Sequence, residues 1–159
     1  MDVYIVFAAG VGAGGSPQYW AVPAGCVREV LQTPPVYPIP RVPPFIVGSL
    51  WYRGRVLTVV DMAQVLGGQR WQSEGNLIYY VIVLEGVPMP VALWVGPWVQ
   101  AVRESEMTPV GTGSVTIPLM ERATQWEEGR VVFHLHVPAF LNWLDRAVVA
   151  FSRTLADYR

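Results

Sequence analysis

Lysine does not occur in this chain; all eleven basic residues are arginine. Base composition of a genome can produce that bias, so it assigns no function. Cysteine is nearly absent as well. Cys26 stands alone, which excludes an intrachain disulfide and a multi-cysteine metal site and fits a reducing, cytoplasmic setting. Charge of either sign is sparse, at 14% of residues against roughly 25% in ordinary soluble domains. The net charge of −1 leaves no electrostatic footprint for nucleic acid or an anionic lipid surface. Unbroken apolar runs are missing too. A membrane helix needs about 20 predominantly apolar residues in a row, whereas GVGAGGSPQ interrupts the uncharged stretch from Val3 to Val27, and Pro88, Pro90 and Pro97 break the one from Gly86 to Val102. Asp2 stands where a signal peptide would carry basic residues. The expectation is a cytoplasmic chain with no direct membrane insertion.

What is present is β-sheet material. Hydrophobic residues make up 52% of the 159, enough for one domain or two closely packed lobes with a substantial core. With so few charges, some apolar surface is expected to stay uncovered as a partner-binding face. VYIVFAAG (3–10) and QYWAVP (18–23) read as a hairpin with a glycine-rich tip. GCVREVLQ (25–32) reads as a strand or a helical turn. TPPVYPIPRVPPF (33–45) contains six prolines and reads as an extended connector. VLTVV (56–60) is a strand, followed by a short helix with Asp61 as N-cap and Gly67 as its stop. LIYYVIVL (77–84) suits a strand buried on both faces. VALWV (91–95) and WVQAV (98–102) read as a strand pair bent at Gly96–Pro97. VVFHLHV (131–137) alternates, with Val131, Phe133, Leu135 and Val137 on one side. A helix of about 138–157 closes the chain, its apolar stripe Phe140, Leu144, Val148, Phe151 and Leu155 packing on the strands. YWAVPAGCVREV (19–30) and VALWVGPWVQAV (91–102) echo each other faintly, as two similar β lobes would. The fold class is all-β with a C-terminal helix.

Chemistry-bearing motifs are weak. Gly10, Gly12 and Gly15 fit G-x-G-x-x-G after a strand, but SPQYWAVP follows where a dinucleotide site needs a helix N-terminus. His134 and His136 lie two apart on one strand; two histidines are too few for a closed zinc site. Cys26 carries no catalytic signature and suits a buried, inert role. The pairs Glu104/Glu106 and Glu127/Glu128 are better read as charged turns than as paired acids. No cofactor, metal or enzyme activity is expected. Of the seven tryptophans, several belong in the core or lobe interface because each buries on the order of 200 Å². Trp51 and Trp71, beside charged loops, are candidates for exposed anchors.

The most informative stretch is GSLWYRGRVLTVVDMAQVLG (48–67). Gly54 suits the turn, but Arg53, directly behind Trp51 and Tyr52, is set for more than solubility. Glu29 is its natural opposite charge amid apolar runs, and a guanidinium can pair with a carboxylate while stacking on Trp51 or Tyr52. That pair could be an internal ion bridge fixing a loop, a recognition element, or both.

Together with YWAVPAGCVREV and PRVPPFIV, this stretch resembles the chemotaxis coupling (CheW-like) family. The family pattern of V-x-E-V/I, then P-x-[FWY]-[IV]-x-G, then N-L-R-G-x-x-x-P-V-x-D-L is matched by Val27, Glu29, Val30, Pro43, Phe45, Ile46, Gly48, Arg53, Gly54, Val59 and Asp61. The match continues faintly through LIYYVIVLEG and VALWVGPWV to EGRVVFHLHVPAFLNWL. Trp51 and Tyr52 replace the usual Asn-Leu, Thr58 the usual proline, and Gly96 an acidic residue of the second lobe. The resemblance implies two SH3-like, five-stranded β-barrel lobes packed together. It also implies a non-catalytic adaptor at membrane-associated chemosensory arrays, joining the chemoreceptor cytoplasmic tip to the regulatory domain of a CheA-type histidine kinase. The partner-binding surface it implies comprises Val27, Glu29, Gly48 and Arg53; Trp51, Tyr52 and Gly54 join them on the residue-level reading. Two alternatives stay open. One is a pilus- or motility-associated SH3-like module without kinase coupling, for which the aromatic pair would suit a divergent pathway. The other is a small β-barrel ligand binder or enzyme using the Gly10–Gly15 loop. Self-association through a β edge or the C-terminal helix is a further open point.

Overall fold

The structure is a computed structural model and describes residues 2–11, 15–67, 78–111 and 117–156. Among the described residues there are eleven strands: β1 (Val3–Val11), β2 (Pro17–Pro23), β3 (Val27–Gln32), β4 (Ile46–Tyr52), β5 (Arg55–Asp61), β6 (Tyr80–Leu84), β7 (Val91–Val95), β8 (Val99–Arg103), β9 (Thr108–Val110), β10 (Met120–Trp126) and β11 (Arg130–Leu135). A four-residue helix α1 (Met62–Val65) follows β5, and α2 (Val137–Ala156) ends the described chain. The strands form two sheets, ordered β8-β1-β2-β11-β10-β9 and β3-β6-β7-β5-β4. Two β lobes are therefore present as expected, but one has six strands where five are expected; the other has five.

The chain starts in the six-stranded sheet, crosses to the other for β3–β7, then returns. The two crossings are the segments whose sequences echo each other. YWAVPAGCVREV leaves the first sheet at β2, turns through a short 3-10 helix (Ala24–Cys26) and enters the second at β3. VALWVGPWVQAV makes the reverse journey from β7 to β8. The expected pairing of VALWV with WVQAV is corrected here: these strands belong to different sheets, and Gly96 marks the crossing. Its N–H donates to Ala8 O at 2.9 Å, while Ala8 N–H donates to Trp98 O at 3.3 Å. The ambiguity over GCVREVLQ also resolves, because a helical turn and a strand follow one another.

Three apolar clusters explain why β1, β2, β6 and β7 are apolar on both faces. In β6, Ile82 and Leu84 face the large cluster shared by both lobes, whereas Val81 and Val83 face the interior of the five-stranded lobe. In β1 and β2, Phe7, Trp20 and Val22 join the shared core, and Val6 and Ala21 join the interior of the six-stranded lobe. LIYYVIVL is thus buried on both faces only over Val81–Leu84; the strand begins at Tyr80, and Ile78 is exposed. Helix α2 closes the shared core through Phe140, Leu141 and Leu144, all buried. Further along, Val148 and Phe151 are only half-buried and Val149 is exposed.

The helix begins at Val137, one residue before the expected Pro138. His136 precedes it, and its Nδ1 accepts from Ala139 N–H at 3.0 Å while its carbonyl accepts from Phe140 N–H. His136 is a helix cap. His134, by contrast, is buried inside the six-stranded lobe, with Nε2 2.9 Å from Thr124 Oγ1 and its ring edge-on to Tyr4 at 4.8 Å. The two histidines do not share one strand face, because β11 ends at Leu135. Among the described residues no three metal-ligating side chains cluster.

Burial, and secondarily the Arg122 charge, lowers the His134 pKa from 6.5 to about 4. Protonation therefore favours the unfolded chain between these values. Stability from this group is complete above pH 6.5, falls as pH drops toward 4, and levels off below. The total is about 3 kcal/mol. Urea midpoints taken from pH 7 to 4 should drop through this window, and a His134→Gln variant should lose that part of the decline. An identical pH slope in the variant would show that His134 is not responsible.

Candidate protein-binding site

The proline-rich connector shapes the outer edge of the five-stranded lobe. Tyr79 OH donates to Pro34 O, and Tyr37 forms a two-way backbone bridge to Ser49, with N–O distances of 2.9 and 2.8 Å. The bridge brings the connector so close to β4 that a Cβ on Gly48 would lie 2.1 Å from Tyr37 O. Gly48 is buried. Its lack of a side chain permits this close approach from beneath the edge.

β4 and β5 form a hairpin whose two-residue turn is Arg53–Gly54, with φ of 46° and 77°. Positive φ at both positions is the pattern of a type I′ turn, which matches the twist of the strands it joins. Arg53 is an unusual residue to hold such a conformation. The turn aims its guanidinium across the open side of the sheet. There β3 and β4, the two edge strands, are joined by side chains: Glu29 Oε1 accepts from Tyr52 OH at 2.6 Å and from Arg53 Nη2 at 3.2 Å. Arg53 Cζ lies 5.3 Å from the Tyr52 ring centroid. The sheet is thereby curled and clasped.

The members of the clasp are unequal. A charge-assisted hydrogen bond such as Tyr52–Glu29 contributes roughly 1.5–3 kcal/mol. The Arg53–Glu29 pair, with side chains 63% and 37% exposed, contributes about 0–1 kcal/mol. Tyr52 holds the carboxylate; Arg53 adds little to the fold and remains accessible.

Trp51 points to the other side and is 67% exposed, paired across the hairpin with exposed Val56. Stacking of Arg53 therefore falls to Tyr52. Val27 opens β3 and is half-buried against the shared core, so it sits at the margin of the seam. Trp71 lies outside the described residues. Sequence reasoning missed Tyr52 as the second donor to Glu29, and also Arg28 and Arg55, which flank the clasp. The doubled arginine of R-G-R and the basic neighbour in V-R-E were the available signals.

Other motifs have local explanations. Asp61 is buried and caps α1 through Ala63 N–H at 3.0 Å and Gln64 N–H at 3.5 Å. Thr58, where the family pattern has proline, uses its N–H on Pro90 O at 3.0 Å, a bond proline could not make. Glu104 pairs with Arg122 at 3.2 Å, Glu106 accepts from Arg103 N–H, and Glu128 pairs with Arg130. Strand β2 follows Gly15, so the glycine loop leads into a strand and not into a pyrophosphate-binding helix; Gly12 lies outside the described residues.

The family description "CheW-like domain" matches residues 11–145. The chain belongs to the CheW-like domain family. Among solved structures, the crystal structure of the scaffolding protein TtCheW from Thermoanaerobacter tengcongensis superposes with a TM-score of 0.63 at 20% identity, covering 84% of this chain and 83% of that one. At that identity the likeness speaks for the fold. No curated protein sequence matches. CheW-like scaffolding domains are non-catalytic. No helix of the described residues is long and apolar enough to cross a membrane.

Proposed function

We propose that this CheW-like chain is a chemosensory adaptor, coupling the cytoplasmic tip of a chemoreceptor to the regulatory domain of a CheA-type histidine kinase. It would work in the cytoplasm, at membrane-associated arrays. The observation that supports this reading best is the half-exposed clasp at the edge of the five-stranded lobe. An exposed guanidinium that contributes little to stability is held there on a carboxylate that Tyr52 fixes in place. On the opposite face of the same hairpin stands the exposed Trp51–Val56 pair. Arginine and aromatic residues are the usual anchors of protein interfaces.

The receptor-facing surface is assigned to Val27, Glu29, Trp51, Tyr52, Arg53 and Gly54, with Gly48 shaping it from below. Signal passes by linked equilibria: an adaptor that prefers one kinase state shifts the kinase by that difference in affinity. Weak individual contacts suffice where an array supplies avidity. Trp51, exposed at a position where the family pattern has asparagine, favours a divergent pathway such as one governing pili. Co-sedimentation with the receptor cytoplasmic fragment and the kinase tests the proposal. The chain should pellet with both together; pelleting with neither would favour a module outside kinase signalling.

A further inference from the structure

Next to the clasp, the mouth of the five-stranded lobe holds a pocket of about 250 Å³. Three arginines line it, Arg28, Arg53 and Arg55, against one acid, Glu85. Arg28 lies 3.6 Å from Glu85 and Arg53 engages Glu29. The Arg55 guanidinium has no ion pair or hydrogen bond among the described residues. With Glu29 counted beside Glu85, three positive charges and two negative leave an excess of +1 here, in a chain whose total is −1. Its inner wall is apolar, built by buried Leu57 and Val83.

Size and chemistry together narrow the ligand. The volume falls below the roughly 300–1,000 Å³ of small-molecule sites, which suits a single side chain better than a cofactor. A carboxylate on an aliphatic stem satisfies both parts of the pocket. Its methylenes would lie on Leu57 and Val83, and its oxygens would meet guanidiniums, whose forked donors match a carboxylate. Glu85 disfavours a phosphate dianion more than a monoanionic carboxylate. We infer that this pocket receives a glutamate side chain from an acidic segment of a partner protein, with Arg55 as its anchor. The inference rests on the adaptor reading for the partner's identity alone.

Side-chain Nε–H NMR of the ¹⁵N-arginine-labelled chain, titrated with acetylated, amidated triglutamate and separately with inorganic phosphate, tests it. Arg55 and Arg28 signals should shift saturably with the peptide, while Arg146 and Arg153 on α2 stay fixed. An Arg55→Gln variant should fold normally and bind the peptide roughly fivefold more weakly, the effect of losing one half-exposed ion pair. Equal shifts at all arginines, no shift, phosphate binding as tight as the peptide, or an unaltered titration in the variant would each overturn the inference. Peptide binding here without co-sedimentation of receptor and kinase would remove the adaptor reading and leave the pocket standing. Co-sedimentation without peptide binding would remove the pocket alone.

Discussion

Replacing Gly48 with alanine should destabilise the chain by about 3 kcal/mol or more and break the Tyr37–Ser49 bridge. The reason is a backbone collision that no rotamer can relieve. The new Cβ would lie 2.1 Å from Tyr37 O and 2.7 Å from Tyr37 C, with Pro38 Cα at 3.1 Å. The residue also has φ of +156°, which side chains rarely adopt. Relief requires moving the connector off β4, and the connector is held elsewhere by Tyr79 on Pro34 and by Phe45 against Trp143. Gly54 supplies the internal comparison. Its φ is positive too, but nothing lies within 4 Å of a Cβ there, so Gly54→Ala should cost only about 1 kcal/mol. Urea unfolding of the two variants checks this; equal midpoints would mean that the connector is not pinned as described.

Phe140→Ala should be nearly as damaging, at about 3–5 kcal/mol. The ring is completely buried in the cluster shared by both lobes and by α2, so its loss opens a cavity at the junction of all three. Phe151, three turns on, is half-buried, and its truncation should cost about 1 kcal/mol. The contrast follows from the way α2 is anchored, at its N-terminal half and by the His136 cap. Similar losses at both positions in thermal or urea unfolding would show the helix to be held along its whole length.

The layout of the fold was legible where local chemistry decides it. Asp61 and Gly67 bracket α1 because an N-cap acceptor and a left-handed stop act within a few residues. The Arg53–Gly54 turn and the β1–β2 hairpin are local in the same way. The partnership of strands was not legible. β7 and β8 are consecutive and both apolar, yet they enter different sheets, since period-two patterning says which face is buried but not against what. The low charge content reads as a sign of uncovered apolar surface, and the packing supplies a further reason for it. Strands that feed a lobe interior on one face and the shared core on the other need apolar residues at every position. Sparse charge is therefore largely a consequence of three cores, and among the described residues Trp51 and Val56 are exposed large hydrophobics paired across one hairpin.

The candidate site was half legible. Opposite charges isolated in apolar runs pointed to Glu29 and Arg53, which do meet. Gly48 was grouped with them through the family pattern, and its burial could not be seen because the bridge from Tyr37 to Ser49 joins residues twelve apart. The hydroxyl of Tyr52 and the pocket arginines became visible only when the two edge strands were brought together.

Arg53→Ala, measured side by side for unfolding and for binding to the receptor cytoplasmic fragment, tests the central claim most directly. The unfolding free energy should fall by no more than about 1 kcal/mol, while receptor binding weakens at least tenfold. Unchanged binding, or a loss of binding that merely tracks a loss of folded protein, would contradict the assignment of this clasp as a recognition surface.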